Sequence, residues 1–411
     1  MNRLILIGNG FDLAHGLPTR YEDFIGWYWR HRINKLAEED SHISDDKLCS
    51  FVDTRKQAWS VTISLGFNLQ SCTTFKALMD TLHTYPCFKI HLSPFFSNIC
   101  KSIETKGWVD IENEYYNLLK SYSIEKYSIE DIHKLNEQLF VLQELLILYL
   151  NEVNKQSLNK KLKSIQEAIY APIHPTDLSV ADQKSIQEHI DYWRQHTDRL
   201  EEKIVSYGLD ARTMLCDVRR FQQEPSNEQP SFIFQYPDAF MLPDCIMFLN
   251  FNYTSTAHQY LANHNNCFDN HIHGDIRDME RQEIIFGYGD ELDANFSKLQ
   301  NLNNNECLRN VKSMRYLENS NYKNALTFMA SAPFQVYIMG HSCGNSDRTL
   351  LNTIFEHKNC VSIKPYYYIK DDGTDNYIDI IQNVSRNFTD MKLMRDRVVN
   401  KTLCNPLVNN K

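Results

Sequence analysis

A short apolar run near the start of the chain, residues 4–7, ends abruptly in Gly8-Asn9-Gly10, and a helical pattern follows at residues 21–32. This order predicts a strand, a glycine turn and a helix start, which is typical of nucleotide-binding α/β folds. Because glycine has no Cβ, backbone N–H groups in such a turn approach a phosphate closely, and a helix N-terminus adds partial positive charge. Gly8, Asn9 and Gly10 are therefore candidate nucleotide ligands, and a tight turn without a ligand is the alternative.

Four later segments are apolar enough to form buried strands: residues 245–252, 268–273, 283–286 and 334–339. Together with the first strand they predict an α/β fold that is Rossmann-like, with a mostly parallel sheet. Ligands bind at the carboxyl ends of the strands in such sheets. The residues that follow each strand are therefore the first candidates for a binding site.

Most of the helical sequence lies between the first strand and the later ones. Residues 128–154 and 178–207 carry apolar residues at three- and four-residue spacing, which predicts two long antiparallel helices joined by a turn. We expect residues 1–44 and 227–411 to form the Rossmann-like core, and residues 45–226 to be a large helical insertion that serves as a lid or a partner surface. Helices that simply cover the sheet are the alternative.

The composition predicts a cytoplasmic protein with a sizeable core. Of the 411 residues 42% are hydrophobic, the net charge is −9, and no stretch concentrates Lys and Arg, so neither a nucleic-acid groove nor a nucleic-acid partner is expected. The chain has no run of about 18 apolar residues and no signal-peptide pattern, so no membrane partner is expected either. The 11 cysteines are scattered without a C-x-x-C pair, which supports neither a disulfide framework nor a zinc ribbon.

Two of the predicted strands end in side chains suited to catalysis. Asn252 closes one strand, and His271 and His273 close the next, where alternation predicts that both rings share a face. A pKa near neutrality suits histidine to proton transfer. The alternatives are a helix cap for Asn252 and a structural or metal-binding role for the histidines. No third ligand has the spacing of a metal site, and no metal is predicted.

The segment after the last predicted strand, GHSCG, matches the G-x-S-x-G pattern of a nucleophile elbow and makes Ser342 a candidate esterase nucleophile. The only later histidine is His357, which lies with Asp347 in the helical run that follows the serine. Triad partners normally come from the ends of later strands. The order of these residues therefore argues against an esterase.

Several motifs together resemble a known family. The sequence IGNGFDLAHGLPTRYEDF, then WVDIE, FNYT, HIHG and GHS followed by Asp347, occur in the order typical of the AbiH family, bacterial proteins linked to abortive infection by bacteriophage. The spacing of Gly8, Gly10, Gly16 and Pro18 also resembles the first loop of sirtuin-like NAD-binding proteins. The two resemblances imply an AbiH-type protein with a sirtuin-like NAD-binding core.

The sirtuin-like resemblance implies roles for single residues. Gly16 belongs to the nucleotide loop, and Asp12 stands where the family has a serine. Asn252 would hold the water or the ribose, and Thr254 stands in place of the family's aspartate. His273 matches the histidine that acts on the ribose hydroxyls.

The later motifs complete the expected site. Gly340, Ser342 and Asp347 match a late sirtuin-like loop and would lie around the adenosine half of the ligand. The block WVDIE resembles a segment specific to AbiH proteins, and Glu112 within it would bind the ribose or act as a base if the insertion folds over the nucleotide. A helix cap at Asp110, with Glu112 near the helix start, is the alternative.

These resemblances imply an anti-phage abortive-infection effector that hydrolyses NAD at the nicotinamide–ribose bond, with Asn252 and His273 as the catalytic residues. NAD would be the substrate or a bound ligand. One alternative is a binding module that senses a nucleotide or a phage protein and acts through a partner. The departures from the sirtuin-like pattern at Asp12 and Thr254 favour this alternative. Another is a different nucleotide hydrolase or a nuclease. The sequence does not identify the phage trigger, the regulatory partner or the oligomeric state. A homo-oligomer is one of the states that it allows.

Overall fold

The computed structural model describes residues 1–38, 43–53, 76, 80, 88–107, 109–155, 161–180, 183–223, 236–262, 266–279 and 283–408. The chain divides into two compact units, and each is discontinuous in sequence. Unit 1 consists of Met1–Gly16, Ser157–Ile284 and Tyr316–Lys411, and unit 2 consists of Leu17–Gln156 and Ile285–Arg315. Part of the segment predicted as an insertion, residues 157–226, thus falls in the same unit as the first strand.

The strands of the described residues are β1 (Asn2–Ile7), β2 (Ile43–Asp45), β3 (Cys49–Asp53), β4 (Phe88–Leu92), β5 (Ile246–Asn250), β6 (Cys267–His271), β7 (Phe334–Met339) and β8 (Cys360–Tyr366). The α-helices are α1 (Asn9–Ala14), α2 (Tyr21–Glu38), α3 (Pro94–Lys106), α4 (Ile111–Lys120), α5 (Ile129–Lys155), α6 (Lys163–Ile169), α7 (Gln183–Gln195), α8 (Leu200–Ser206), α9 (Ala211–Gln223), α10 (Phe296–Asn301), α11 (Lys312–Arg315), α12 (Asn321–Ser331), α13 (Arg348–Phe355), α14 (Tyr377–Arg386) and α15 (Met391–Arg397).

Unit 1 is built on a five-stranded sheet with the order β6-β5-β1-β7-β8, in which every neighbouring pair is parallel. The chain adds strands on one side of β1 and then on the other, which is the strand order of the Rossmann fold. All residues of β1, β5, β7 and β8 are buried, as expected for strands covered on both faces. The predicted Rossmann-like α/β fold is therefore confirmed, and the order reverses between β1 and β7.

The edge strand β8 was not predicted from the sequence, because Lys364 and Pro365 interrupt its apolar pattern. Proline cannot donate a ladder hydrogen bond, but an edge strand tolerates it because one side of the strand has no partner strand. Lys364 is accommodated by an ion pair between its Nζ and Oδ2 of Asp177 at 2.8 Å. Conversely, the prediction of a strand at residues 283–286 was wrong: residues 284–286 are buried, but the run forms no ladder in the described structure.

Unit 2 combines helices with a small antiparallel sheet of order β2-β3-β4, which the sequence did not predict within a helical segment. The predicted helix at residues 128–154 is confirmed as α5, which buries leucines at helical spacing. The predicted second helix, residues 178–207, is divided into α7 and α8 by the 3₁₀ turn Thr197–Arg199. Helix α6 and the 3₁₀ turn Pro175–Asp177 lie between α5 and α7 in the chain, so these helices are not joined by a single turn as expected.

Candidate functional site

The turns that follow β1 and β7 meet at the point where the strand order reverses. The N–H of Gly10 donates to the carbonyl of Gly340 over 2.8 Å. A Cβ on Gly10 would lie 2.9 Å from Cα of Gly340, and a Cβ on Gly8 would lie 2.8 Å from the Gly340 carbonyl oxygen. Gly340 itself has φ +79°, and a Cβ there would lie 2.6 Å from the carbonyl carbon of Gly10. The glycines are therefore required by the contact of two backbones, whatever ligand binds.

The other two residues predicted in the first loop have different surroundings. Asn9 is exposed and begins α1, a helix of six residues. Gly16 ends this segment with φ +79°, and a Cβ there would meet nothing within 4 Å. Gly16 thus serves the left-handed turn after the helix, whereas Asn9 lies on the accessible rim of the glycine turn.

Asp12 and Thr254 bind each other below the glycine turn. The hydroxyl of Thr254 donates to Oδ2 of Asp12 over 2.5 Å, and both residues are buried. Burial raises the pKa of Asp12 from 3.8 to about 6, although the hydrogen bond from Thr254 and the nearby polar groups of Thr256 and Asn252 act in the opposite direction. One carboxylate oxygen, Oδ2, is therefore bound within the protein, whereas Oδ1 is buried without a hydrogen-bond partner among the described residues.

Asn252 lies after β5 and connects this loop to the end of β1. Its Nδ2 donates to the carbonyl of Gly8 over 3.0 Å, and its backbone N–H donates to Oδ1 of Asn250 over 3.0 Å. The next helical turn, Thr256–Tyr260, begins after Ser255 and has no side-chain cap. The alternative that Asn252 acts only as a helix cap is therefore wrong. The half-buried side chain of Asn252 thus connects the end of β5 to the end of β1.

His271 supports the Asn252 loop from the neighbouring strand. Its Nδ1 lies 3.1 Å from the carbonyl oxygen of Asn252, and its Nε2 lies 3.4 Å from Asp269 and 3.6 Å from Asp275. Burial by itself lowers the pKa of His271, but the two carboxylates overcome this effect and raise it. The carboxylates beside Nε2 thus favour a positive charge on His271, while Nδ1 faces the carbonyl of Asn252.

His273 has a different set of partners, because β6 ends at His271 and the strand alternation does not extend further. Its Nε2 lies 3.2 Å from Oδ1 of Asp347 and 3.3 Å from the hydroxyl of Tyr316. The other carboxylate oxygen of Asp347, Oδ2, lies 3.6 Å from Nε2 of His341. The His273, His341 and Asp347 side chains are 5%, 6% and 10% exposed. One buried carboxylate therefore bridges two histidines at the carboxyl ends of β6 and β7.

Aromatic rings surround the His273 imidazole. The ring centroid of His273 lies 5.3 Å from that of Phe251, 6.2 Å from that of Tyr253 and 6.1 Å from that of Tyr316. The same Phe251 ring lies 4.1 Å from the ring of His341. Aromatic faces attract cations, so this environment suits a protonated imidazole or a cationic ring of a ligand.

The loop after β7 explains the position of His341. Its Nδ1 accepts the N–H of Cys343 over 3.0 Å, and Cys343 adopts φ +54°, which is strained for a residue other than glycine. The side chain of Asn387 donates to the carbonyl of Cys343 over 2.9 Å and helps to hold this conformation. Burial raises the pKa of the Cys343 thiol, so the thiol stays protonated and is not a nucleophile.

Ser342 is exposed, and its hydroxyl makes no hydrogen bond to a histidine within the described residues. Nδ1 of His341 is engaged by the Cys343 amide, and Asp347 faces His273 and His341. No Ser–His–Asp arrangement thus forms around Ser342 in the described part of the chain. Ser342 remains a rim residue beside Gly340.

Glu112 lies in unit 2, where its carboxylate binds Nζ of Lys312 at 2.8 Å and the N–H of Gly287 at 3.2 Å. Both Glu112 and Lys312 are buried. Asp110 caps α4 by accepting the N–H of Asn113 over 3.0 Å, as the alternative account expected. Trp108 of the same motif lies outside the described residues.

The candidate site therefore consists of two groups that meet where His341 packs against Gly8, with Asn9 and Ser342 at the rim. The first group is Gly8, Gly10, Asp12, Asn252, Thr254 and Gly340, and the second is His273 and Asp347. The sequence did not single out His341 or Tyr316. His341 could have been found, because it lies within the Gly340-His341-Ser342 motif. Tyr316 follows no recognisable pattern, and only the fold brings its hydroxyl to His273.

A groove of about 560 Å³ in unit 1 is lined by other residues: Lys161, Gln166, residues 205–208, His258, Gln259, Leu261 and Ala262. Within the described residues no group of three or more His, Cys, Asp or Glu side chains is arranged to hold a metal.

Comparison with known proteins identifies a family. The family model described as "Bacteriophage abortive infection AbiH" matches residues 4–368. Neither a curated protein nor a solved structure matches the chain. Among the described helices, none is both long and apolar enough to cross a membrane.

Proposed function

The chain belongs to the AbiH family of bacteriophage abortive-infection proteins, and from this premise we propose that it binds NAD at the carboxyl edge of the five-stranded sheet and hydrolyses the nicotinamide–ribose bond. The family supplies the role in abortive infection. The observation that carries the chemistry is the bridge from His273 through Asp347 to His341, which packs against Gly8, the residue whose carbonyl accepts from Asn252.

In the proposed reaction, water adds to C1′ of the ribose while the bond from C1′ to the pyridinium nitrogen breaks. The bonding electron pair goes to the ring nitrogen, so nicotinamide leaves as a neutral molecule. The proton lost by the water passes through a ribose hydroxyl to His273. The products are nicotinamide and ADP-ribose.

The contacts of His273 support this role. A carboxylate beside Nε2 favours the tautomer that carries its proton there, so Nδ1 becomes the basic nitrogen. Asn252 would orient the water, as its amide is already held by the Gly8 carbonyl at the edge of the sheet. Positioned groups of this kind lower the barrier mainly by orientation and by stabilising developing charge.

The aromatic surroundings of His273 support a cationic substrate. Phe251, Tyr253 and Tyr316 present rings within 6.2 Å, centroid to centroid, of the imidazole. The nicotinamide ring of NAD is positively charged until the bond breaks. Cation–π attraction contributes about 0.5–2 kcal/mol for such a ring, depending on its desolvation.

The test is nicotinamide release from NAD by the purified protein and by cells after phage infection. We expect release by the wild type and a loss of about 10²–10⁴-fold in rate for His273→Ala. His174→Ala, which removes an exposed histidine of the same unit, is the matched control and should retain the rate. Intact NAD in both settings, while phage are still blocked, would disprove the hydrolase.

The burial of the site favours a second candidate function, which is a sensor that binds a nucleotide and acts through a partner. The glycine turns are in direct backbone contact, and His273 is 5% exposed. A sensor needs no turnover, so His273→Ala would still protect cells wherever it still binds ligand. Binding measured by calorimetry together with plaque counts separates the two functions.

A further inference from the structure

We propose that His271 is a positioning residue for Asn252, and that it acts through the main chain of Asn252. The sequence singled out His271 within the HIHG motif, but the proposed reaction gives it no role. The effect of His271 on turnover rests on the proposed function, whereas its effect on the placement of Asn252 does not.

The parallel ladder places His271 beside the loop that carries Asn252. Asn250 ends β5 and His271 ends β6, and these two residues are partners in the register of the strands. The chain that leaves β5 reaches Asn252 two residues later. Side chains at the ends of both strands therefore reach the same short piece of backbone.

Both polar groups of the Asn252 main chain are held by these side chains. The N–H of Asn252 donates to Oδ1 of Asn250 over 3.0 Å, and the carbonyl oxygen of Asn252 lies 3.1 Å from Nδ1 of His271. A carbonyl only accepts hydrogen bonds, so Nδ1 of His271 is the donor. The two contacts together fix the direction in which the Asn252 side chain leaves the backbone.

The His271 ring is itself held in place. Its Nε2 lies 3.4 Å from Oδ2 of Asp269 and 3.6 Å from Oδ2 of Asp275, and its side chain is 7% exposed. The main-chain carbonyl of His271 accepts a hydrogen bond from Nδ2 of Asn321 over 2.7 Å. These contacts restrict rotation of the ring and direct its Nδ1 end to Asn252.

The contact with Asn252 requires a hydrogen on Nδ1 of His271 and not a particular charge on the ring. The imidazolium carries that hydrogen, and so does one of the two neutral tautomers. Without the donor, the backbone of Asn252 is free to shift, and the 3.0 Å contact of its side chain with the Gly8 carbonyl would shift with it. A displacement of about 1 Å in an active site can reduce a rate by about 10²-fold.

Two substitutions separate the two ends of the His271 ring. His271→Asn places an amide nitrogen near the position of Nδ1 and can still donate to the Asn252 carbonyl. His271→Gln places its amide near the position of Nε2 and has no donor at the position of Nδ1. His258→Gln is the matched control, because His258 also lies 3.4 Å from Oδ2 of Asp269 but is not hydrogen-bonded to Asn252 in the described part of unit 1.

The experiment is an NMR measurement of the Asn252 carbonyl in the full chain, labelled with ¹³C-carbonyl asparagine and ¹⁵N-tyrosine. Only Asn–Tyr peptide bonds then give a correlation, and the chain has three of them, at 252–253, 321–322 and 376–377. Tyr253→Phe removes one of the three signals and thereby assigns it. The signal of 376–377 is the internal reference.

We expect His271→Gln to move the Asn252 carbonyl signal upfield, because the carbonyl then lacks its hydrogen bond. His271→Asn and His258→Gln should leave this signal near its wild-type position. None of the three variants should move the reference signal.

The same variants test the consequence for catalysis. Under the proposed function, His271→Gln should lower kcat for nicotinamide release by about 10²-fold. The KM for NAD should change little, because Asn252 orients the water and not the substrate. His271→Asn should restore most of the rate, whereas a role in folding alone would leave kcat per folded molecule unchanged.

The proposal is overturned if His271→Gln leaves the Asn252 carbonyl signal in place, if His271→Asn moves it as far as His271→Gln does, or if an active His271→Gln protein has the wild-type kcat. Where His271→Gln fails to fold, the ring nitrogens of the ¹⁵N-histidine-labelled wild type decide the matter, with His271 assigned from the signals lost in His271→Asn. Nδ1 of His271 must then carry a hydrogen. The expected carbonyl signals without any NAD turnover would contradict the hydrolase and leave the placement of Asn252 by His271 intact.

Discussion

The hydroxyl of Thr254 donates a 2.5 Å hydrogen bond to the buried carboxylate of Asp12, across 242 residues of sequence. The sirtuin-like pattern has a serine at the position of Asp12 and an aspartate at the position of Thr254. In this chain the carboxylate therefore lies in the first loop and the hydroxyl in the second. The two residues that depart from that pattern are therefore bonded to each other, and one oxygen of the Asp12 carboxylate is directed to Thr254.

Replacing Thr254 with valine should destabilise the protein. Valine keeps the shape but leaves the Asp12 carboxylate without its closest donor, and an unsatisfied buried acceptor costs about 1–3 kcal/mol. Thr254→Ser retains the hydroxyl and is the control. The free energy of unfolding, measured with denaturant at pH 7, should be lower for valine than for serine. Equal values for the two variants would show that this bond contributes nothing.

Asp12 should make stability fall as the pH rises from about 4 to about 6. Its pKa is about 6 in the folded protein against 3.8 for the free group, so the folded state holds a proton that the unfolded state loses first. The penalty is absent below pH 3.8 and complete above pH 6, on the order of 3 kcal/mol. Asp12→Asn should lack this dependence in unfolding experiments across that range, while the exposed control Asp371→Asn keeps it. A wild type and Asp12→Asn with parallel profiles would contradict the prediction.

Gly340→Ala should cost far more stability than Gly16→Ala, although both glycines have φ +79°. The left-handed backbone alone costs an alanine about 1–2 kcal/mol. At Gly16 the new methyl meets nothing, whereas at Gly340 it overlaps the backbone of Gly10 and Phe11. The difference in melting temperature between the two variants measures what the contact of the two turns contributes to stability. Similar melting temperatures would mean that the turns separate easily.

Phage protection should depend on Asn252 and His273 beyond their contribution to folding. Under the proposed hydrolase, Asn252→Ala and His273→Ala lose the oriented water and the base, and His174→Ala keeps both. Plaque counts on cells that contain equal amounts of each folded variant provide the measurement. Full protection by both site variants would favour the sensor.

The ion pair between Glu112 and Lys312 should be a stability element of unit 2. Lys312→Met leaves a buried carboxylate without its cation, which typically costs about 3–5 kcal/mol. The double variant Glu112→Gln with Lys312→Met should recover much of that loss, because no uncompensated charge remains. The free energy of unfolding of the single and double variants, measured with denaturant, tests this expectation. A Lys312→Met protein as stable as the wild type would refute the assignment.

Local patterns were sufficient for much of the five-stranded sheet of unit 1 and for α5 of unit 2. The apolar runs that became β1, β5 and β7 are continuous, and α5 shows a clear helical period. Each signal arises within a few neighbouring residues. β8 escaped prediction because an edge strand tolerates Lys364 and Pro365, and residues 283–286 were mistaken for a strand because a short apolar run does not reveal whether a ladder partner exists.

The sequence was enough to place Asn252, His273 and the glycines at strand ends, since the apolar character of a strand and its abrupt end are local properties. The pairing of Asp12 with Thr254, and the bridge from His273 through Asp347 to His341, were decided by the tertiary structure. These partners come from different strands, and their distances depend on the strand order β6-β5-β1-β7-β8. That order is set by packing among elements far apart in the chain, which no local pattern contains.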